Sequence, residues 1–226
     1  MRAAAPRAFP VKQHRSQQTR QRLLQAGRAL LQSGSFDGVS ISQISARAGC
    51  AVGSFYQRFR NKEACFEFLL DETVAELRMH TIQTLTIESM RGLGVTGTLH
   101  RCVEHFVEIS REQQGLVRAA LQYSINGTSN WQPVRDMGMW LQQHYIGLIL
   151  HGSRSRERDR LAQQLRIGFH VISGHLVNLA VHPQGVLPID HPHLADWLGG
   201  IVTHCLRVRP SAAHPRLSAS RRTRRK

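Results

Sequence analysis

Apolar residues recur every three or four positions along most of this chain, with polar residues filling the gaps. Strands would alternate every second residue; this period is that of amphipathic helices. Between Gln17 and Ser33 the stripe is Leu23, Leu24, Ala26, Gly27, Leu30 and Leu31, and Gly34 follows as a C-terminal cap. Phe36-Asp37-Gly38 reads as a turn. Ser40 opens a second helix, where Gln43 completes a capping box and Val39 can staple onto Ile44. Ile41, Ile44 and Ala48 face inward, and Gly49 supplies the left-handed backbone of a sharp turn. Val52 to Phe59 forms a third helix, with Phe55 and Phe59 toward the core and Val52, Gly53, Ser54 and Tyr56 on its other sides. Asn61 caps a long helix through Phe66, Leu69, Leu70, Val74 and Leu77.

The helical period continues from Val95. Leu99, Cys102, Val103, Phe106 and Ile109 form one stripe, and Leu116, Ala119, Ala120 and Tyr123 another. A turn at Asn126-Gly127 precedes Trp131, Val134, Met137, Leu141, Tyr145 and Leu148. Gly152 to Arg160 reads as a charged linker. Leu161, Leu165, Gly168, Phe169, Ile172, Leu176 and Leu179 then lead to about Val181, where His182-Pro183 stops the helix. After a loop through Gly185 and Pro188, a last helix holds Leu194, Trp197, Leu198, Ile201, Val202 and Cys205. No segment reads as a strand, so the fold class is all-α.

Ser40 to Lys62 is the informative segment: two short helices joined at Gly49, the second presenting small and polar residues. That is the layout of a helix-turn-helix, which lays one helix in a DNA major groove. Ser40-Ile41, Ile44-Ser45, Ala48-Gly49, Gly53-Ser54-Phe55-Tyr56, Phe59 and Asn61-Lys62-Glu63 together resemble the TetR family of transcriptional regulators, over about residues 15 to 70. Cys50 and Ala51 depart from the family's usual Val and Ser or Thr, and the lost hydroxyl removes a helix cap worth roughly 0.5–2 kcal/mol.

The resemblance implies roles. Tyr56 contacts a phosphate and Lys62 reaches the DNA backbone, while Ser40, Ser42, Val52, Gly53 and Ser54 lie nearest the groove, with Gln57 and Arg58 close by. A Lys at a helix start suits phosphate, and Val52 suits a thymine methyl. No Arg, Asn or Gln occupies the groove-facing positions, so shape readout is expected to outweigh direct readout. The implied organisation is a flexible basic arm (1–14), a DNA-binding domain (15–62), a helical ligand-binding and dimerisation domain (63–208) and a basic tail (209–226).

Charge sharpens this picture. The chain's formal charge is +15 over 226 residues. Arg2, Arg7, Lys12, Arg15, Arg20 and Arg22 precede Leu23 without an acid, and eight bases follow from Arg207 on, again without one. The remainder is nearly neutral, so the excess sits at two ends suited to a polyanion such as DNA, or serving solubility. No apolar run reaches the roughly 18 residues of a membrane span, and the N-terminus lacks a signal-peptide core. A cytoplasmic protein is expected.

In the family, the last two helices pair with their copies as a four-helix bundle; here Leu165, Phe169, Ile172, Leu176, Trp197 and Ile201 are the candidates, the alternative being that they complete the protomer's own core. Gly168, Gly174, Gly199 and Gly200 would permit close approach. Two-fold symmetry also follows from paired half-sites. The middle helices would enclose an effector, with Phe106, Tyr123, Trp131, Met137, Trp140, His144 and Tyr145 as candidates by type, although such stripes also build cores. Cofactors and metals are not expected: the thirteen histidines repeat no ligand spacing, and catalytic signatures are missing. The expected function is a homodimeric repressor of double-stranded DNA released by a small molecule. Alternatives are a constitutive structural DNA-binding factor without an inducer, and a helical thiol enzyme at Cys50 or Cys65.

Overall fold

In a computed structural model, which describes residues 10–125, 131–152, 155–183 and 187–207, the three-to-four spacing becomes nine helices, with no strand among the described residues. They are α1 (Pro10–Ser33), α2 (Ile41–Arg47), α3 (Val52–Tyr56), α4 (Lys62–Thr84), α5 (Gly94–Glu112), α6 (Gln114–Ile125), α7 (Gln132–Ile149), α8 (Ser155–Val181) and α9 (Leu194–Arg207). The fold is all-α.

Apolar stripes collect into two cores. The first joins α1–α3 and the start of α4 through Leu23, Leu24, Phe36, Ile44, Phe55, Phe59 and Leu70, and it recruits Leu116, Ala120 and Tyr123 from α6. The second lies among α5, α7, α8 and α9, around Leu99, Val103, Tyr145, Leu165, Phe169 and Val202. α4 spans both, since Val74 and Leu77 pack on the second core.

Several boundaries differ from expectation. α1 starts at Pro10, inside the segment read as a flexible arm, because proline suits a first helical turn and no breaker follows it. α3 ends at Tyr56, with the Phe59 amide still donating to the Phe55 carbonyl. Ser155–Arg160 belongs to α8 instead of a linker, with Glu157, Arg158, Asp159 and Arg160 exposed on its first turns. Asn126-Gly127, Gly185, residues 1–9 and the tail from 208 lie outside the described residues.

The expected dimer stripe of α8 needs correction. Leu165, Phe169, Ile172 and Leu176 are buried in the protomer's own second core, unavailable to a second copy. Gly168 is likewise used within the protomer: a Cβ there would stand 2.7 Å from Val202 Cγ1, so it sets how closely α8 meets α9. Gly199 packs on the His100 ring in the same way, whereas Gly174 and Gly200 face open space. Trp197 and Ile201, the α9 part of the expectation, remain exposed.

Candidate nucleic-acid interface

The capping box forms as the sequence dictates. Ser40 Oγ accepts from the Gln43 amide at 3.2 Å, and the Ser40 amide donates to Gln43 Oε1 at 2.8 Å. At the other end of α2 the chain reverses through Gly49, whose φ of 62° is the left-handed region a side chain would strain. The Cys50 amide closes this turn on the Ser45 carbonyl. α3 then starts at Ala51 with no side-chain cap. Phe55 anchors it, fully buried with its ring 5.4 Å from that of Phe59.

This anchoring turns the other side of α3 outward. Val52 and Tyr56 are 40% and 56% exposed, Gln57 is exposed, and nothing lies within 4 Å of a Cβ built at Gly53. Ser40 and Ser42 are exposed on the neighbouring turn, and Ser54 is half-buried. One smooth surface of small side chains thus projects beside a phenol, a shape that can sink into a groove.

Two expected DNA contacts are engaged elsewhere. Arg58 donates to the Ser54 carbonyl (2.7 Å) and the Ser16 carbonyl (3.2 Å), so it ties α3 to α1. Lys62 donates from Nζ to the Phe36 carbonyl at 2.9 Å and lies 4.4 Å from the Phe36 ring centroid. The reason is positional: at the first turn of α4 its side chain leans back toward the helix start, where the Phe36 turn leaves a carbonyl. Arg47 and Arg60, not singled out from sequence, are exposed and make no ion pair among the described residues. Their signal was available: each is a base immediately flanking the turn or the recognition helix. Residues 15–62 carry eight bases and one acid, Asp37, so the face is electropositive.

In the body, a cavity of about 430 Å³ opens between α4, α5, α6, α7 and α8. Of the expected ligand residues, Phe106, Trp131 and Met137 line it. The other four do not. Tyr123 sits in the first core between the Phe36 and Phe66 rings and donates to Glu67 Oε1. Tyr145 is buried against Phe169, its hydroxyl 2.8 Å from His105 Nδ1. His144 bonds the Leu85 carbonyl, and Trp140 stacks on His144. Choosing by aromatic type missed Leu70, Val74, Gln113 and Arg135, which line the cavity from α4, α7 and the α5–α6 junction.

Burial controls the titratable groups here. It pushes the His105 imidazole down to about 4, helped by the nearby His80, Arg101 and His144, so the ring is neutral at pH 7. Burial pushes the Cys65 and Cys102 thiols up to about 12, which leaves Cys65 protonated and unreactive, contrary to the thiol-enzyme alternative there.

A buried-anchor helix-turn-helix with an electropositive outer face, set on a helical body that holds a cavity, defines a DNA-binding regulator. Residues 23–69 match the family model described as "Bacterial regulatory proteins, tetR family". Over that stretch the chain is similar to that family. Among solved structures it is similar to the fatty acid degradation regulator FadR from Bacillus halodurans, at 17% identity and a TM-score of 0.54, over 92% of this chain and 100% of that one. It is also similar to a transcriptional regulator (TerR/AcrR family) from Aquifex aeolicus VF5, at 16% identity and a TM-score of 0.50, over 83% of this chain and 97% of that one. At such identities the likeness is one of fold. No curated protein matches the chain in sequence. No helix among the described residues is long and apolar enough to cross a membrane.

Proposed function

We propose that the protein is a homodimeric, cytoplasmic transcriptional repressor whose grip on its operator is released when a small molecule enters the body. The observation that carries the release is the double role of α6. Leu116 and Val117 line the cavity. Arg118, one residue on, donates to the Leu31, Gln32 and Gly34 carbonyls at the end of α1 (3.2, 3.0 and 3.4 Å). Gln122 takes the Phe36 amide just before the helix-turn-helix. A ligand that displaces α6 therefore displaces the frame of the DNA-binding head. Two heads reading half-sites about 34–36 Å apart tolerate little change in spacing. Induction of 100-fold requires about 2.7 kcal/mol of differential binding between the two conformations.

The dimer reading rests on a different face of α8 from the one the sequence suggested. Ile167, Val171, Gly174, Asn178 and Val181 repeat at four and three residues, and all are exposed. Trp197, Gly200, Ile201 and His204 make a similar exposed strip on α9. Large apolar strips left in water favour a second copy.

Genomic footprinting combined with transcript measurement in a deletion strain tests the whole. The expected result is near-palindromic protected sites whose downstream genes rise on deletion. Genes that fall would make the protein an activator, and protection without any transcript change would favour the constitutive structural factor.

A further inference from the structure

The cavity beneath the head selects among small molecules by its chemistry. At about 430 Å³ it falls within the range that holds a drug-sized ligand. Its wall is largely aliphatic and aromatic, with Leu70, Leu77, Phe106, Leu141 and Leu176 prominent. Three features make it more than an apolar hollow. No carboxylate among the described residues lines it. Arg135, on the first turn of α7, does line it; that residue is also exposed to solvent and makes no ion pair among the described residues. Gln113 Oε1, at the α5–α6 junction, is buried with no hydrogen-bond partner among the described residues.

A cation without a counter-charge attracts an anion and repels a second cation. A buried acceptor left alone calls for a donor. Two hydroxyls of the wall are already committed, Thr73 Oγ1 donating to the Leu69 carbonyl and Ser110 Oγ to the Phe106 carbonyl. We propose that the ligand is a hydrophobic organic acid, its apolar body inside the cavity, its carboxylate at Arg135 and a hydroxyl or N–H group donating to Gln113 Oε1. This rests on the reading that the body's cavity is the effector site.

Calorimetric titration of the full-length protein, without DNA, tests it with decanoate, decanol, decylamine and decanoates hydroxylated at carbon 3, 6 or 10. Decanoate should bind about tenfold more tightly than decanol, as a charge-assisted pair gives. At least one hydroxylated acid should bind more tightly than decanoate, and decylamine most weakly. Arg135→Gln should bring decanoate down to the level of decanol, with decanol binding kept as evidence of an intact cavity. Gln113→Leu should abolish the advantage of the hydroxyl. Equal binding of decanol and decanoate, tighter binding of decylamine, no advantage from any hydroxyl, or no binding at all would overturn the proposal. Binding without operator release would instead leave the ligand class standing and remove the inducer reading.

Discussion

Lys62 and Arg60 stand two residues apart and have opposite fates. Lys62 is half-buried and held on the Phe36 carbonyl and ring, while Arg60 is free in solvent. Lys62→Ala should therefore act on stability, at about 1–2 kcal/mol for a charged hydrogen bond plus a cation–π contact, measured by urea denaturation. The salt dependence of DNA affinity should change little. Arg60→Ala should do the reverse: unchanged stability, but a slope of log K against log salt reduced by about 1. The family resemblance placed Lys62 at the start of a helix; it could not say that a turn 26 residues earlier leaves a carbonyl within its reach. The anchors Phe55 and Phe59 and the capping box were legible, because local spacing alone decides them.

His105 carries a second prediction at the same scale. Its pKa in the fold is about 4 against an ordinary 6.5, so the unfolded chain binds more protons between those values. Stability should be fully present above pH 6.5 and fall as pH drops toward 4, by up to roughly 3 kcal/mol. His105→Gln should flatten that part of the pH–stability curve. A native-like slope in the variant would move the effect to other groups.

Among the elements, α6 does what no stripe announced. Its apolar positions were legible, but not that one flank serves the cavity and the other the end of α1. Gly115 marks the contact. A Cβ there would stand 2.4 Å from the Leu31 carbonyl oxygen and 2.6 Å from Gln32 Cα, both backbone atoms that cannot swing aside. Gly115→Ala should cost about 1–3 kcal/mol of stability through overpacking. It should also loosen the head, read as faster amide exchange at the end of α1 and weaker operator binding. Gly138→Ala, inside α7 where nothing lies within 4 Å, is the matched control: it should raise stability by about 0.5–1 kcal/mol and leave operator binding unchanged. α8 shows the limit of periodicity. It carries one three-to-four stripe at Leu165, Phe169, Ile172 and Leu176 and another at Ile167, Val171 and Val181. Both satisfy helical spacing, and only packing against α5 and α9 decides which turns inward.

For the molecule as a whole, the proposed dimer rests on the outward stripe. Ile167 and Val171 are 54% and 55% exposed, and Trp197 and Ile201 58% and 50%. These side chains lie on two helices that already pack together within the protomer through Gly168 and Val202. A two-fold axis through these strips would bring each against its copy, with Gly174 and Gly200, which face open space, allowing the backbones to approach. Val171→Glu combined with Ile201→Glu sets four carboxylates into that interface without touching either buried core. Sedimentation velocity should then report a dimer for the native chain and a monomer for the double variant, while thermal unfolding still shows a folded protomer. Operator affinity should fall steeply, because one head reads only one half-site, whereas non-specific binding per protomer should persist. A double variant that remains dimeric would move the interface off this face. A monomer with undiminished operator affinity would mean that a single recognition helix, small and uncapped as it is, needs no partner.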